Sequence, residues 1–385
     1  MNAFFLAISY LRFHWARSLV LIVVTALILS VPIISQVLLN GSQTALTERA
    51  EATPLVLGSR GSQLDLAMNA LYFSDDRANP VTMADADAIW DSGLGLPIPL
   101  NTAFETNGAR IIGTSVEYFE FRGLNVAQGR QIALLGEAVL GASVAERLGL
   151  APGDTVVSAP QNLFDLDGVY PLELNIVGVL APTGTPDDEA VFVDIKTSWV
   201  IAGIGHGHDG VLAEGATSGD IVANAAIVEF NRITDDNIDS FHFHGDPADY
   251  PVSAVVLVPN DARAATMLRG RYLDAENPVQ IIVPRDVIGE LVGRIFRIKS
   301  LLDAVTLIVG GAALAAVGLA IFLSYRLRAR EMQTAFKIGA RKSMILQFIG
   351  AETILILCIA GVIAIALTFA VQTNGSTIVA WLLAT

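Results

Sequence analysis

The sequence predicts an α-helical membrane domain of three transmembrane helices, carrying a large two-lobed α+β domain outside the membrane and ending in a short interfacial helix. Three observations lead there. Of 385 residues, 53% are hydrophobic and only 16% charged, against roughly 25% charged in an ordinary soluble domain. The missing charge is concentrated in three apolar runs of membrane-spanning length. The charge that remains is partitioned: segment 40–300 holds 16 Lys and Arg against 35 Asp and Glu, whereas the stretch before the first run and the one between the last two together hold eight basic residues and one acid. Basic residues collect on the cytoplasmic side of membrane spans, so the acidic segment faces outward.

The same arithmetic excludes other classes. Disorder needs low hydrophobicity. A disulfide scaffold needs paired cysteines, and Cys358 is the single one. A net charge of −14 speaks against nucleic acid as a partner, because phosphate neutralisation needs clustered Lys and Arg.

Each element follows in order. Residues 1–18 form a cytoplasmic amphipathic segment, with Phe4, Phe5, Ile8, Leu11 and Trp15 at near-helical spacing. That pattern suits either a helix lying on the inner-leaflet lipid or a plain extension of the first span. The first span, 19–39, carries no charge. At ~1.5 Å per residue it matches the ~30 Å hydrocarbon core, and it exceeds the ~7–15 apolar residues of a signal peptide. Pro32 predicts a kink. Residues 40–300 alternate short β-rich runs, such as 137–141, 172–180, 190–194, 252–258 and 279–283, with helical patterns at 83–92, 143–148, 261–272 and 286–297, hence α+β. One lobe is expected from 45–135 with 225–290, and an inserted lobe from 136–224. The second span is 301–323, a cytoplasmic stalk and loop follow at 324–344, and the third span is 345–371. Residues 372–385 make a short outer C-terminal segment.

Several stretches carry a resemblance. Tyr325 to Ser343 reads YRLRAREMQTAFKIGARKS, with Glu352 at the mouth of the next span. In the outer segment stand Glu137 to Gly141, Val144 to Leu150, Pro152-Gly153-Asp154, Asn175 to Leu180 and Asp187 to Asp194. Motifs in this order, between these spans, resemble the MacB/FtsX-like ABC transporter permeases. The resemblance implies a MacB-like periplasmic domain whose first lobe is porter-like, in a multi-pass protein of the bacterial inner membrane with its N-terminus in the cytoplasm. It implies a homodimer served by two copies of a separate ABC ATPase, which binds ATP and Mg. ATP hydrolysis there would drive movements of the outer domain for export, extraction or signalling, with a periplasmic adaptor or substrate-binding protein as a further partner. The family usually has four spans, three of them after the outer domain; three are visible here. The chain has no Gly-x-x-x-x-Gly-Lys-Ser/Thr loop, so it is expected to be a non-catalytic subunit without a cofactor of its own.

Three residue groups are candidates for function. Arg330, Glu331, Lys337, Ile338, Gly339, Ala340, Arg341 and Lys342 form the expected ATPase-coupling loop. Gly339, free of a Cβ, can end the stalk helix so that a short helix follows along the membrane surface. Gly311, Ala312, Ala315, Ala316 and Gly318 give the second span a small-residue face for helix packing or dimer contact. His206, His208, His242 and His244 form two His-x-His pairs. In Phe241-His242-Phe243-His244, strand alternation puts both imidazoles on one face. With Asp209 and Asp246 nearby, such pairs suit zinc or copper, although their spacing fits no zinc motif and two solvated His-bearing loops are the more ordinary reading. The rival readings are therefore a membrane-anchored metal-binding or sensing protein, and a structural scaffold.

Overall fold

The structure is a computed structural model that describes residues 3–74, 79–160, 171–207, 231–327, 333–334, 336–337 and 342–383. Along the chain come α1 (Ala3–Phe13), α2 (Trp15–Glu51), β1 (Leu55–Ser59), α3 (Gln63–Tyr72), β2 (Val81–Thr82), α4 (Met83–Asp91), β3 (Gly95–Thr106) and β4 (Ala109–Thr114). Next are α5 (Glu117–Arg122), β5 (Val126–Gly129), β6 (Glu137–Leu140), α6 (Ala142–Leu148), β7 (Thr155–Val157), β8 (Glu173–Leu180), β9 (Ala190–Asp194) and α7 (Ile195–Ile201). The last are β10 (Gly205–His206), β11 (His242–Phe243), β12 (Pro251–Val252), β13 (Ala254–Pro259), α8 (Ala262–Arg271), β14 (Val279–Ile282), α9 (Pro284–Leu327) and α10 (Lys342–Leu383). The chain divides into two compact units, Met1–Ala45 with Leu291–Thr385, and Leu46–Glu290.

The first unit is helical. Two of its helices are long and apolar enough to cross a membrane, over Trp15–Ile34 and Gln347–Thr373. Few of their side chains are buried. That is what lipid-facing helices require, and what the core helix of a soluble protein does not show. Three spans were expected and two are found among the described residues. The expected second span lies within α9, where the apolar run among those residues covers only Leu307–Ala316. The C-terminal segment also differs from expectation: 372–383 is no separate interfacial helix but the continuation of α10. Pro32 sits inside α2 without ending it. The N-terminal segment folds as α1 and packs on α10, burying Ala7 and Ala351, with the Tyr10 ring edge-on to Phe348 at 5.8 Å. Phe4, Phe5, Ile8 and Phe13 stay exposed.

The second unit is built on one ten-stranded sheet in the order β14-β1-β13-β3-β4-β9-β6-β8-β5, with β7 also on β8. The two expected lobes share this sheet: β4 of one pairs with β9 of the other, and β5 with β8. The side of β14, β1, β13 and β3 is antiparallel; beyond β4 the pairing is mixed, parallel in β4–β9 and β6–β8. Central strands are buried on both faces, which explains their near-continuous apolar runs. One apolar core gathers Leu55, Leu57, Ile89, Trp199, Val255 and Leu257. Another gathers Phe104, Ile111, Leu140, Leu174, Val191 and Val193. Tyr118, Phe119 and Phe192 form a further aromatic cluster, joined by Phe73.

Local chemistry fixes the ends. Ser62 caps α3, and Asp261 caps α8 by accepting from the Ala264 N–H at 2.7 Å. Thr82 and Asp85 box the start of α4. Gly149, at φ 66°, ends α6 in the left-handed conformation that only glycine adopts without strain. β3, the longest strand, carries Pro97 and Pro99. It tolerates them because β4 ends at Thr114, opposite Leu100, leaving only β13 beside residues 95–99.

Candidate transmission anchor and histidine cluster

In the outer unit, the ends of two long helices meet the sheet at one place. Only Ala52, Thr53 and Pro54 separate α2 from β1, and only Val283 separates β14 from α9. β1 and β14 pair antiparallel, with Val56 opposite Ile282, so both connections leave the same end of one ladder. At its other end the Arg60 guanidinium donates to the carbonyls of Tyr272, Asp274, Asn277 and Val279. Gln280 adds a bond to the Ser59 carbonyl at 3.0 Å. Ile288, in the first turns of α9, is fully buried.

The last turn of α2 is held by a buried ion pair. Arg49 meets Asp187 in a two-pronged contact, Nη1 to Oδ2 at 2.6 Å and Nη2 to Oδ1 at 3.0 Å. Its Nε donates to the Leu71 carbonyl and Nη2 also to Tyr118 Oη at 3.1 Å, while its head lies 5.6 Å from the centre of the Phe73 ring. Tyr118 in turn donates to Asp187 Oδ1 at 2.8 Å, and Thr185 to Oδ2 at 2.9 Å. Both charged side chains are almost wholly buried. Burial works against ionising Asp187, but the hydrogen bonds and charge of Arg49 outweigh it and hold the carboxyl below its ordinary range. Burial, then the neighbouring Asp187 charge, pushes the Tyr118 phenol up to about 12. Arg49 itself is opposed by burial, yet Tyr118 and Asp187 raise its pKa. Alongside, Arg122 Nη1 donates to Thr53 Oγ1 at 2.9 Å, and Thr53 Oγ1 donates to the Arg49 carbonyl at 2.9 Å, so the link between α2 and β1 is fastened from both sides.

The outer-segment motifs build the support of this anchor. A Cβ at Gly141 would fall 2.3 Å from the Asp187 carbonyl oxygen, so the bare glycine lets the 186–189 turn approach. Glu137 accepts from the N–H groups of Ala133 and Leu134 and pairs with Arg130. Asp154 closes the turn after α6 by accepting from the Ala151 N–H at 2.8 Å. None of Arg49, Asp187 or Tyr118 was a candidate from sequence. Arg49 and Asp187 stand 138 residues apart, and no local spacing announces their pairing.

The candidates from sequence fare differently. Of the coupling-loop group, Lys337 is described and exposed, and Lys342 begins α10. Arg330, Glu331, Ile338, Gly339, Ala340 and Arg341 lie outside the described residues. Gly311, Ala312, Ala315, Ala316 and Gly318 sit on α9 and are exposed. The histidines are brought together: His206, His242 and His244 form one cluster whose ring nitrogens lie within 4.8 Å of one another. His208, Asp209 and the segment to Phe230 lie outside the described residues.

Comparison with known proteins agrees with this architecture. A family model described as the MacB-like periplasmic core domain matches residues 20–229, more than half the chain. The chain belongs to that family. It has the MacB-like outer domain of a MacB/FtsX-type ABC transporter permease, a membrane subunit whose family works with an ABC ATPase partner. Among solved structures, it is similar to the periplasmic region of MacB from Actinobacillus actinomycetemcomitans, at 12% identity and a TM-score of 0.36, covering 64% of this chain and 97% of that one. It is similar also to the extracellular domain of the noncanonic ABC-type transporter YknZ from Gram-positive bacteria, at 14% identity and a TM-score of 0.34, covering 59% and 98%. A domain of a putative permease protein from Porphyromonas gingivalis shares 12% identity at a TM-score of 0.27, over 60% and 86%. No match was found among curated proteins.

Proposed function

We propose that this chain is a mechanotransmitting permease subunit, in which ATP hydrolysis by a separate ABC ATPase moves the membrane helices and, through them, the outer domain. One observation carries the reading: α2 and α9 are unbroken helices whose outer ends join β1 and β14, two strands paired with each other. Few rotatable bonds separate helix from sheet, and Arg49, Asp187, Tyr118 and Arg122 stiffen the shorter arm. A change of helix tilt therefore reaches the sheet edge instead of dissipating in a linker. The charge partition of the sequence supports a cytoplasmic N-terminus and a multi-pass topology in an inner membrane. Two copies of the chain with two of the ATPase complete the machine, with the small-residue face of Gly311, Ala312, Ala315, Ala316 and Gly318 as the contact between copies. A periplasmic adaptor, binding protein or cargo would receive the movement for export, extraction or signalling.

The cytoplasmic input is the loop from Arg330 to Lys342. Its basic residues suit an acidic docking surface, and Gly339 suits a break between two helices. Gly339→Pro stiffens the break, and Ala340→Glu adds bulk and negative charge. In lipid-reconstituted complexes of the chain with its ATPase, each change should lower the permease-stimulated ATP hydrolysis by about an order of magnitude, roughly 1.4 kcal/mol of coupling. Assembly should stay near normal. Stimulation equal to the parent in both variants would remove the loop as the coupling element.

A further inference from the structure

We propose that His206, His242 and His244 form a binding site for one divalent first-row transition ion, zinc or copper(II), that ties β10 to the segment His242–His244. The proposal is independent of the permease reading, since nothing in it requires ATP or a partner chain.

The backbone places the three rings. β10 and β11 pair antiparallel, with His206 directly opposite His242 and Gly205 opposite Phe243. The opposite face is filled by aromatic rings lying over glycines. A Cβ at Gly205 would come within 2.6 Å of the Phe243 ring, and one at Gly207 within 2.6 Å of Phe241. Both phenylalanines pack onto the apolar core. A small ladder would ordinarily be marginal; this one is pinned from below by Phe241 and Phe243, and strand alternation then commits the imidazoles to the outer face. The three ring centres lie 4.8, 4.8 and 4.9 Å apart.

Donor chemistry and geometry agree. His244 Nε2 stands 3.4 Å from His206 Nε2. Two nitrogens on a tetrahedral zinc at ~2.05 Å are separated by about 3.3 Å, so this pair already spans one edge of such a site. His242 Nδ1 lies 3.0 Å from the Ser240 carbonyl. A carbonyl only accepts, so Nδ1 is the donor there, and in the neutral ring Nε2 is the nitrogen able to ligate, the arrangement by which ligating histidines are usually oriented. Among the described residues the cluster offers three imidazoles and no thiolate or carboxylate, a donor set that, with the rings deprotonated to bind, selects zinc or copper(II) over calcium and magnesium, which take oxygen ligands. The cluster faces solvent, which leaves the fourth position to water or another donor.

The consequence is mechanical. His206 and His244 are 38 residues apart, and joining the ends of so long a stretch removes loop-closure entropy from the open chain. An ion there would fix β10, which follows α7, to β11.

The test uses the full chain in detergent, stripped with chelator, then titrated with zinc in competition with a chromophoric chelator and, separately, with cobalt(II). The parent should bind about one zinc per chain. His206→Ala, His242→Ala and His244→Ala should each bind at least about tenfold more weakly, since even groups that only orient ligands are worth that much. The triple variant should bind none at this site, while His14→Ala binds like the parent. Cobalt-loaded parent should show the intense visible absorbance of four-coordinate nitrogen ligation, and zinc should raise its melting temperature but not that of the triple variant. Metal-free parent and triple variant melting together would show that the substitutions spare the fold. Should they not, the cobalt spectrum of the parent decides alone. A parent that binds no zinc, a triple variant that binds like the parent, or a six-coordinate cobalt spectrum overturns the proposal.

Discussion

At the residue scale, the most consequential group is Arg49 with Asp187, because neither has water to fall back on. Removing one partner of a buried pair leaves the other charge uncompensated, typically at a cost of about 3–5 kcal/mol, whereas the pair itself adds little over an apolar replacement. Arg49→Met should therefore destabilise the outer domain by about that amount in denaturant unfolding, and Arg49→Met with Asp187→Leu should recover much of the loss. The pair also sets an acid limb. Asp187 has a lowered pKa in the folded state, so its stabilisation is present above the ordinary carboxylate pKa of ~3.9 and is lost as pH falls through the folded value. Tyr118, raised to about 12, acts in the opposite sense: its contribution is complete below ~10 and disappears as pH rises through 12. Melting temperature against pH should fall at both ends; Tyr118→Phe should flatten the alkaline limb and, by taking a donor away from Asp187, also shrink the acid one. The histidines were legible in sequence because alternation over four residues is local information. The ion pair was not, because it is made by a fold that brings a helix end to a distant turn.

At the element scale, the turn from β6 into α6 shows what the outer-segment motif is for. Gly141 gives the 186–189 turn room to carry Asp187 to Arg49, and a side chain there would collide with backbone that has no rotamer to change. Gly141→Ala should cost roughly 1–3 kcal/mol by overpacking, read as a lowered melting temperature. Combined with Arg49→Met it should cost less than the sum, because both act on one contact. Elements with a local pattern were readable: α8 and α6 from their helical patterns, and β8 and β9 from their apolar runs. β3 was not, since Pro97 and Pro99 argue against a strand until one knows that its neighbour stops at Thr114. α7 was missed because seven residues, Ile195–Ile201, are too few for a period to show. The length of α9 was hidden because sequence reading divides a helix where its surroundings change from water to lipid, although the backbone continues.

At the scale of the whole molecule, stiffness decides whether the proposed transmission can work. A machine that moves an outer domain by moving membrane helices works only if the helices and the sheet share few soft joints. α2 runs from the apolar segment at Trp15 to Glu51 without a break, and α9 from Pro284 to Leu327. Their outer ends lie on neighbouring strands in register, so on the proposed reading a force on one helix would shear or tilt the β1–β14 edge instead of bending a loop. Flexibility placed at that joint should therefore separate the two halves of the function. Inserting a short Gly-Ser stretch between Glu51 and Leu55, and another at Val283, adds freely rotating bonds where there are now almost none, and leaves the cytoplasmic loop untouched. ATP hydrolysis stimulated by the permease should persist at about the parental rate in lipid-reconstituted complexes. The nucleotide-dependent change in distance between spin labels on the outer domains of two copies should collapse, and transport or signalling output with it. If the labelled domains still move as in the parent when both joints are loosened, movement reaches them by some route other than these two helices, and the mechanical reading of the fold fails even where the family assignment stands.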